Sequence, residues 1–277
     1  MKIDTLFLSG GGINCLSFLG SLRYLMENKI INSDMSNIKT IIGVSGGILH
    51  IIPILLGFSI NSTIKFFTNY DYNKLVDYNN LNINDLFNKY GVYSNDFITY
   101  ILTPMFKYKN IDININLQDF YKKTKIKLIM KVVNLSKKEI IYLHYKNSPN
   151  IPLITAIKMT TCFPLFFKPI EYNNHLYVDG GLCGNFPIEY KDKHKKKYKN
   201  YLGIKINSTK KTEKFNDFID YLSSLYNIPW SPYDHKKKKR VLELPADGSG
   251  MDFIVTKEDK EKMVEIGSQK MKEFIDL

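Results

Sequence analysis

Two short apolar runs in this chain each lead into a cluster of glycines and then into a helical pattern, and this repeated unit limits the fold more than any other feature. Thr5-Leu6-Phe7-Leu8 ends at Ser9-Gly10-Gly11-Gly12, after which Leu16, Leu19, Leu22, Tyr24 and Leu25 fall at helical spacing. That spacing predicts a helix from about Asn14 to Asn28. Ile38 to Val44 is the second run; it ends in Gly43-Val44-Ser45-Gly46-Gly47, and an apolar stretch from Ile48 to Ile60 follows. Short runs without polar alternation read as strands buried on both faces, as in parallel sheets. Two successive strand–glycine turn–helix units therefore predict an α/β fold with a mainly parallel central sheet.

The rest of the chain fits that class. Residues 61–116 are polar, aromatic and weakly periodic, and predict helices and loops that include a candidate lid or cap. Lys127 to Leu135 and Glu139 to Tyr145 predict paired strands around Ser136-Lys137-Lys138, and Ile154 to Met159 a helix stopped near Cys162-Phe163-Pro164. His175 to Val178 and Leu202 to Ile206 predict strands, while Phe215 to Tyr226 and Lys257 to Ile275 predict amphipathic helices. No internal repeat and no linker rich in Pro, Gly or Ser divides the 277 residues. One domain over 1–277 is the expectation, with a motif-bearing core over about 5–205 and a C-terminal helical region over about 210–277.

Composition narrows the partners. The formal net charge is +12, and Lys193 to Lys199 and Lys236 to Arg240 are dense in positive charge. Such a surface suits anionic partners: nucleic acid, phosphoinositides or an anionic bilayer. No nucleic-acid-binding fold is recognisable, so nucleic acid is not the expected partner; the lysine runs read either as solvated loop faces or as attraction to anionic lipid. Cys15, Cys162 and Cys183 are too few and too widely spaced for a disulfide framework, and no Cys/His pairing suggests a metal site. Ile48 to Ile60 contains His50, Pro53 and Gly57 and falls short of the roughly 18 apolar residues a membrane-spanning helix needs, so it predicts a buried helix. The first residues lack the apolar core of a secretory signal. A cytoplasmic or peripheral-membrane protein, without cofactor, is the expectation.

Three clusters carry chemistry. A serine hydroxyl needs a positioned base, and its attack needs donors for the oxyanion that develops. In Gly43-Val44-Ser45-Gly46-Gly47 the flanking glycines let a strand-to-helix turn bend tightly enough to project Ser45 at the head of a helix, whose positive end favours developing negative charge. The plainer alternative is an ordinary turn whose serine caps the helix. Gly10-Gly11-Gly12 opens its backbone N–H groups to an anion, as an oxyanion hole or a phosphate cradle. A dinucleotide fingerprint would need glycine at position 15, where Cys15 stands, and a P-loop would need Lys-Ser/Thr after the glycines, where Ile13-Asn14 stand. Asp179-Gly180-Gly181 follows a predicted strand and reads as a tight turn or as a carboxylate at the sheet edge where the glycine turns gather.

In this order the three clusters resemble the patatin-like phospholipases. Leu117-Gln118-Asp119-Phe120-Tyr121, Val132-Val133-Asn134-Leu135, Ser148-Pro149 through Ala156-Ile157, Phe163 to Phe167 and Asn185-Phe186-Pro187 are similar to that family's later blocks, so the resemblance covers most of residues 5–205. It implies a three-layer α/β/α fold and a lipid acyl hydrolase of phospholipase A or lysophospholipase type, acting on phospholipid or another acyl-ester lipid in peripheral contact with an anionic membrane. It implies a Ser45–Asp179 catalytic dyad, an oxyanion hole from Gly10, Gly11, Gly12 and Gly46, supporting roles for Gly43, Gly47, Gly180 and Gly181, and no metal. No triad histidine is expected, and His50 is expected to pack on or beside the helix after Ser45. Asn14 and Cys15 depart from the family pattern, which has a cation and a glycine there. A catalytically impaired scaffold held on anionic membranes is the rival expectation.

Overall fold

The two glycine-terminated runs become neighbouring parallel strands. In the computed structural model, which describes residues 1–75, 83–194, 198–207, 221, 224, 239–246, 248, 250–251 and 253–277, β1 (Thr5–Leu8) pairs with β2 (Thr40–Gly43), Leu8 opposite Gly43. A 3₁₀ turn (Gly12–Cys15) and α1 (Leu16–Glu27) follow β1. After β2 come two single-turn helices, α2 (Gly46–Leu49) and α3 (Ile52–Leu55), and then α4 (Ile60–Asn69).

The single buried helix expected over Ile48 to Ile60 is therefore broken, for local reasons. Pro53 lies in the first turn of α3 and has no N–H to give to the preceding turn. Gly57, at φ 88°, turns the chain away. Ser59 then starts α4 by accepting the Ser62 N–H at 3.1 Å.

Further along lie α5 (Ile83–Lys89), β3 (Gly91–Tyr93), α6 (Phe97–Tyr108), α7 (Leu117–Thr124), β4 (Lys127–Asn134), β5 (Glu139–Leu143) and α8 (Leu153–Thr161). They are followed by β6 (Leu165–Phe167), β7 (Ile170–Tyr172), β8 (His175–Asp179), α9 (Glu189–Lys193), β9 (Tyr201–Asn207), β10 (Val241–Pro245) and α10 (Lys257–Ile275). The main sheet runs β10-β9-β1-β2-β4-β8-β7, with β5 also on β4. From β10 to β4 every neighbour is parallel; β5, β8 and β7 join antiparallel. The mixed α/β class and the mostly parallel sheet are as expected. The described residues of 61–116 are mainly helical, and α6 buries Ile98, Ile101 and Leu102 in the core. β3 pairs with β6 in a separate two-stranded sheet that no sequence pattern announced. The helix expected over Phe215 to Tyr226 lies almost entirely outside the described residues.

Both faces of the sheet are covered. Along β1, Leu6 and Leu8 enter one apolar cluster and Phe7 the other, as alternation along a strand requires. The larger cluster includes residues of α1, α4, α6, α8 and α10. On the other face Phe186, Ile188 and Tyr190, at the start of α9, pack with Tyr198 and Tyr201, whose rings meet Phe7 edge-on at 5.9 and 5.8 Å. Among the described residues no helix is long and apolar enough to cross a membrane. Arg240, at the end of a basic run, is used structurally: its guanidinium donates to the Lys2 carbonyl at 2.6 Å and the Lys199 carbonyl at 3.3 Å.

α10 clamps α1, the helix that carries the first glycine loop. Its capping box, Thr256 with Asp259, fixes where it starts. The two backbones touch: a Cβ on Gly20 would lie 1.8 Å from the Val264 carbonyl oxygen, and one on Gly267 1.8 Å from that of Ser17. Ser21 donates to the Gly267 carbonyl at 3.0 Å and Ser268 to the Gly20 carbonyl at 2.8 Å, so the crossing is hydrogen-bonded as well as close. Gly267→Val should force these helices apart and lower stability by about 2–3 kcal/mol in urea unfolding. Glu265→Ala, which removes an exposed ion pair to Arg23, should change it by less than about 1 kcal/mol. Equal effects of the two would contradict the account of the crossing.

Candidate active site

Where β2 stops, the backbone is strained. Ser45 has φ 51° and ψ −130°, a conformation that costs a non-glycine residue on the order of 1–3 kcal/mol and persists only when its surroundings enforce it. Two contacts do so. The Ser45 N–H donates to Thr160 Oγ1 at 3.1 Å, and Thr160 Oγ1 donates in turn to the Lys131 carbonyl at 2.7 Å. Gly43 and Gly47 let the turn fold flat: a Cβ on Gly43 would meet Ile48 Cδ1 at 2.6 Å, and one on Gly47 the Ser9 carbonyl oxygen at 2.3 Å. Ser45 itself is half-buried. The helix after it is a single turn, so the long helix dipole expected from the sequence is replaced by individual N–H groups.

Strand register brings Asp179 to the same place. Gly43 of β2 pairs with Met130 of β4, and Asp179 of β8 pairs with Val132. Ser45 follows the end of β2 by two residues and Asp179 ends β8, so both lie beside the Met130–Val132 segment of β4. Asp179 is 2% exposed, donates its N–H to the Cys162 carbonyl at 2.9 Å and accepts the Gly181 N–H on Oδ1 at 2.7 Å. Burial pushes its carboxyl up to about 7; the Ser45 hydroxyl, the Gly181 N–H and the Lys131 ammonium oppose that rise. Glycine at 180 is dictated by proximity, since a Cβ there would lie 2.4 Å from the Lys131 carbonyl oxygen. At Gly181 a Cβ would meet Asn185 Oδ1 at 3.0 Å and Asp179 Oδ1 at 3.1 Å.

The first glycine loop closes the third side. Ser9 anchors it to β9, giving its N–H to the Ile204 carbonyl at 3.1 Å and accepting the Ile206 N–H on Oγ at 2.9 Å. The Gly10 N–H is taken by the Asn185 carbonyl at 2.9 Å, so Gly10 shapes the loop and does not present that donor. A Cβ on Gly10 would lie 3.2 Å from Ser45 Cβ. Gly12, at φ 53°, faces the Gly250 backbone so closely that a Cβ would sit 1.8 Å from its carbonyl oxygen. Gly46 abuts the same loop, its built Cβ 2.4 Å from the Gly12 carbonyl oxygen. Among the described residues, no hydrogen bond takes up the N–H of Gly11, Gly12 or Gly46. Cys15, which replaces a family glycine, tucks its sulfur beside Gly11 and Gly46 without exposure to solvent. Burial and nearby Asp179 push its thiol well up, so it stays neutral.

The histidines are elsewhere. His50 is buried, hydrogen-bonds the Gly46 carbonyl through Nδ1 at 2.7 Å and packs on the Phe67 ring at 4.7 Å; burial pushes its pKa down to about 4. It packs on its own helix, as expected. His175 starts β8, four residues before Asp179, and His194 stacks on Tyr190. None of the described histidines hydrogen-bonds Ser45 or Asp179. Sequence reasoning missed Thr160, Ser9 and Lys131. Only Lys131 left a signal: it is a lone cation inside the apolar strand Leu128-Ile129-Met130-Lys131-Val132-Val133.

Known proteins resemble this chain in sequence and in fold. The chain matches the family model described as Patatin-like phospholipase over residues 6–191. It is 31% identical over 224 residues to the "Probable lipid hydrolase 463L" of Invertebrate iridescent virus 6, covering 80% of this chain and 70% of that protein. It is 26% identical over 286 residues to "Uncharacterized protein R571" of Acanthamoeba polyphaga mimivirus, covering 99% and 94%. VipD from Legionella pneumophila shares the fold with a TM-score of 0.68 at 15% identity, over 100% of this chain and 67% of VipD. The type III effector ExoU does so with a TM-score of 0.54 at 12% identity, over 100% of this chain and 53% of ExoU. The chain belongs to the patatin-like phospholipase family and is a lipid ester hydrolase.

Proposed function

We propose that the protein cleaves fatty acyl esters of phospholipids or related lipids, as a phospholipase A-type or lysophospholipase activity, through a Ser45–Asp179 dyad. What supports this reading is the buried Asp179 carboxyl, raised by burial to about 7 with the Ser45 hydroxyl among the groups opposing that rise, at the end of β8 beside the turn that follows β2. A base serves best when its pKa lies near the working pH, and here burial supplies that tuning without a histidine.

The steps follow from these groups. Asp179 accepts the Ser45 Oγ proton as Oγ attacks the ester carbonyl carbon. The tetrahedral oxyanion is held by the N–H groups of Gly11, Gly12 and Gly46, the loop donors with no other partner among the described residues. As the intermediate collapses, the alcohol leaves with the proton from Asp179 and the acyl chain stays on Ser45. Asp179 then takes a proton from the attacking water and gives it to Ser45 Oγ as the acyl–Oγ bond breaks, freeing the fatty acid and restoring both the serine and the carboxylate. The +12 charge supports peripheral contact with an anionic bilayer, although the lysine runs lie mostly outside the described residues.

Wild-type protein is expected to release fatty acid from vesicles containing phosphatidylglycerol without added calcium. Ser45→Ala and Asp179→Asn should each lower the rate by at least about 1,000-fold. Persistent release in Ser45→Ala contradicts the mechanism, and an inert wild type that still sediments with the vesicles favours a membrane-bound scaffold instead. The wild-type rate should rise as pH passes through about 7, because only the ionised carboxylate accepts the proton. A rate that stays flat across that range would exclude Asp179 as the base.

Stability should move the opposite way. The folded pKa lies above the unfolded value, so this group's stabilising proton uptake is complete below about pH 4 and is lost as pH rises through about 7. Asp179→Asn cannot ionise and should unfold at a higher temperature than wild type at about pH 8. That advantage should vanish near pH 4; a variant less stable than wild type at pH 8 would refute the burial argument.

A further inference from the structure

We propose that Lys131 is the positioning residue of the dyad, its backbone carbonyl holding the nucleophile's turn through Thr160 and its ammonium holding the turn of the base. This role rests on the Ser45–Asp179 reading. Both attachments belong to one residue. The Lys131 carbonyl accepts Thr160 Oγ1–H at 2.7 Å, and Thr160 Oγ1 accepts the Ser45 N–H at 3.1 Å. Its Nζ donates to the Cys183 carbonyl at 2.8 Å and the Gly184 carbonyl at 2.7 Å, and pairs with Glu189 Oε1 at 2.7 Å. These three partners use all three ammonium donors. The stem runs beneath the base's turn: a Cβ on Gly180 would lie 2.8 Å from Lys131 Cγ.

A packing role alone does not account for this side chain. Lys131 is fully buried in a strand whose neighbours are apolar, and desolvating an ammonium costs several kcal/mol unless charge and hydrogen bonds offset it. Methionine or leucine would fill the strand position without that cost. What an apolar residue cannot do is gather two carbonyls of the 180–184 turn and set a positive charge against Asp179.

The groups around the two residues separate the electrostatics from other titrations. Asp179 is faced by the Ser45 hydroxyl, the Gly181 N–H, the Lys131 ammonium and the thiols of Cys15 and Cys162. Burial raises both thiols, so neither ionises near neutrality. Lys131 is faced by Glu189, which accepts the Tyr142 hydroxyl; burial and Glu189 push that phenol far up, and Tyr190 packs beside it. Of these groups, Lys131 and Glu189 form the ion pair, 2.7 Å apart.

The test is the pH dependence of Ser45 labelling by a fluorophosphonate, measured as a second-order rate on the full chain. Lys131→Met should move the acid limb up by about half to one pH unit, and Glu189→Gln, which leaves the Lys131 charge without its partner, should move it down by less. A merely structural role would slow both variants without shifting their limbs in opposite directions. If Lys131→Met does not fold, Glu189→Gln decides alone: a limb that stays put or moves up overturns the proposal. Labelling that persists in Ser45→Ala overturns the dyad and this role together. A normal wild-type limb that neither variant moves overturns the role of Lys131 and leaves the dyad standing.

Discussion

The site depends on how β4 divides its length. Residues 127–130 pair in parallel with β2, and residues 132–134 pair antiparallel with β8. Two strands arriving from opposite directions therefore end on either side of Lys131; Ser45 lies two residues past the end of β2, and Asp179 is the last residue of β8. A slip of one residue would exchange the side chains packed on the two faces, putting Phe7 where Leu6 or Leu8 now packs, so the fit of each buried face fixes the register. The proposed nucleophile and base are thus brought together by the backbone ladder of β4 with its two neighbours.

Around that spacing the glycines do one job at several places: they let backbones approach. Gly12 lies against Gly250, Gly46 against Gly12, Gly47 against Ser9 and Gly180 against Lys131. The same device at Gly20 and Gly267 locks α10 onto α1 and so fixes the helix that carries the first loop. The strain stored at Ser45 is held by this surrounding contact. Burial of Asp179 has a double effect, raising the carboxyl to about 7, as the proposed base requires, and making its ionised form a cost to the fold.

Much of this was legible in the sequence, and the parts that were not share a cause. Apolar runs ending in glycine identified β1 and β2 because local pattern and tertiary role coincide there. Ser45 and Asp179 stood in turn motifs whose geometry is itself local. Pro53 and Gly57 were visible inside the Ile48 to Ile60 stretch, yet its apolar character outweighed them in the reading; the backbone obeyed the missing N–H. β3, β6 and β10 are three to five residues long and exist through partners far away in sequence, which no window of pattern reveals. Gly10 read as an oxyanion donor because its N–H commitment to Asn185 spans most of the chain. Lys131 was the one long-range feature with a local trace, a cation in an apolar strand.

The most direct test of the account is peptide mapping after reaction with a fluorophosphonate. A dyad held by β4 and independent of histidine predicts an adduct at Ser45 in the wild type and in His50→Gln, and its loss in Asp179→Asn. An adduct at another residue, or one at Ser45 that survives undiminished in Asp179→Asn, would contradict it.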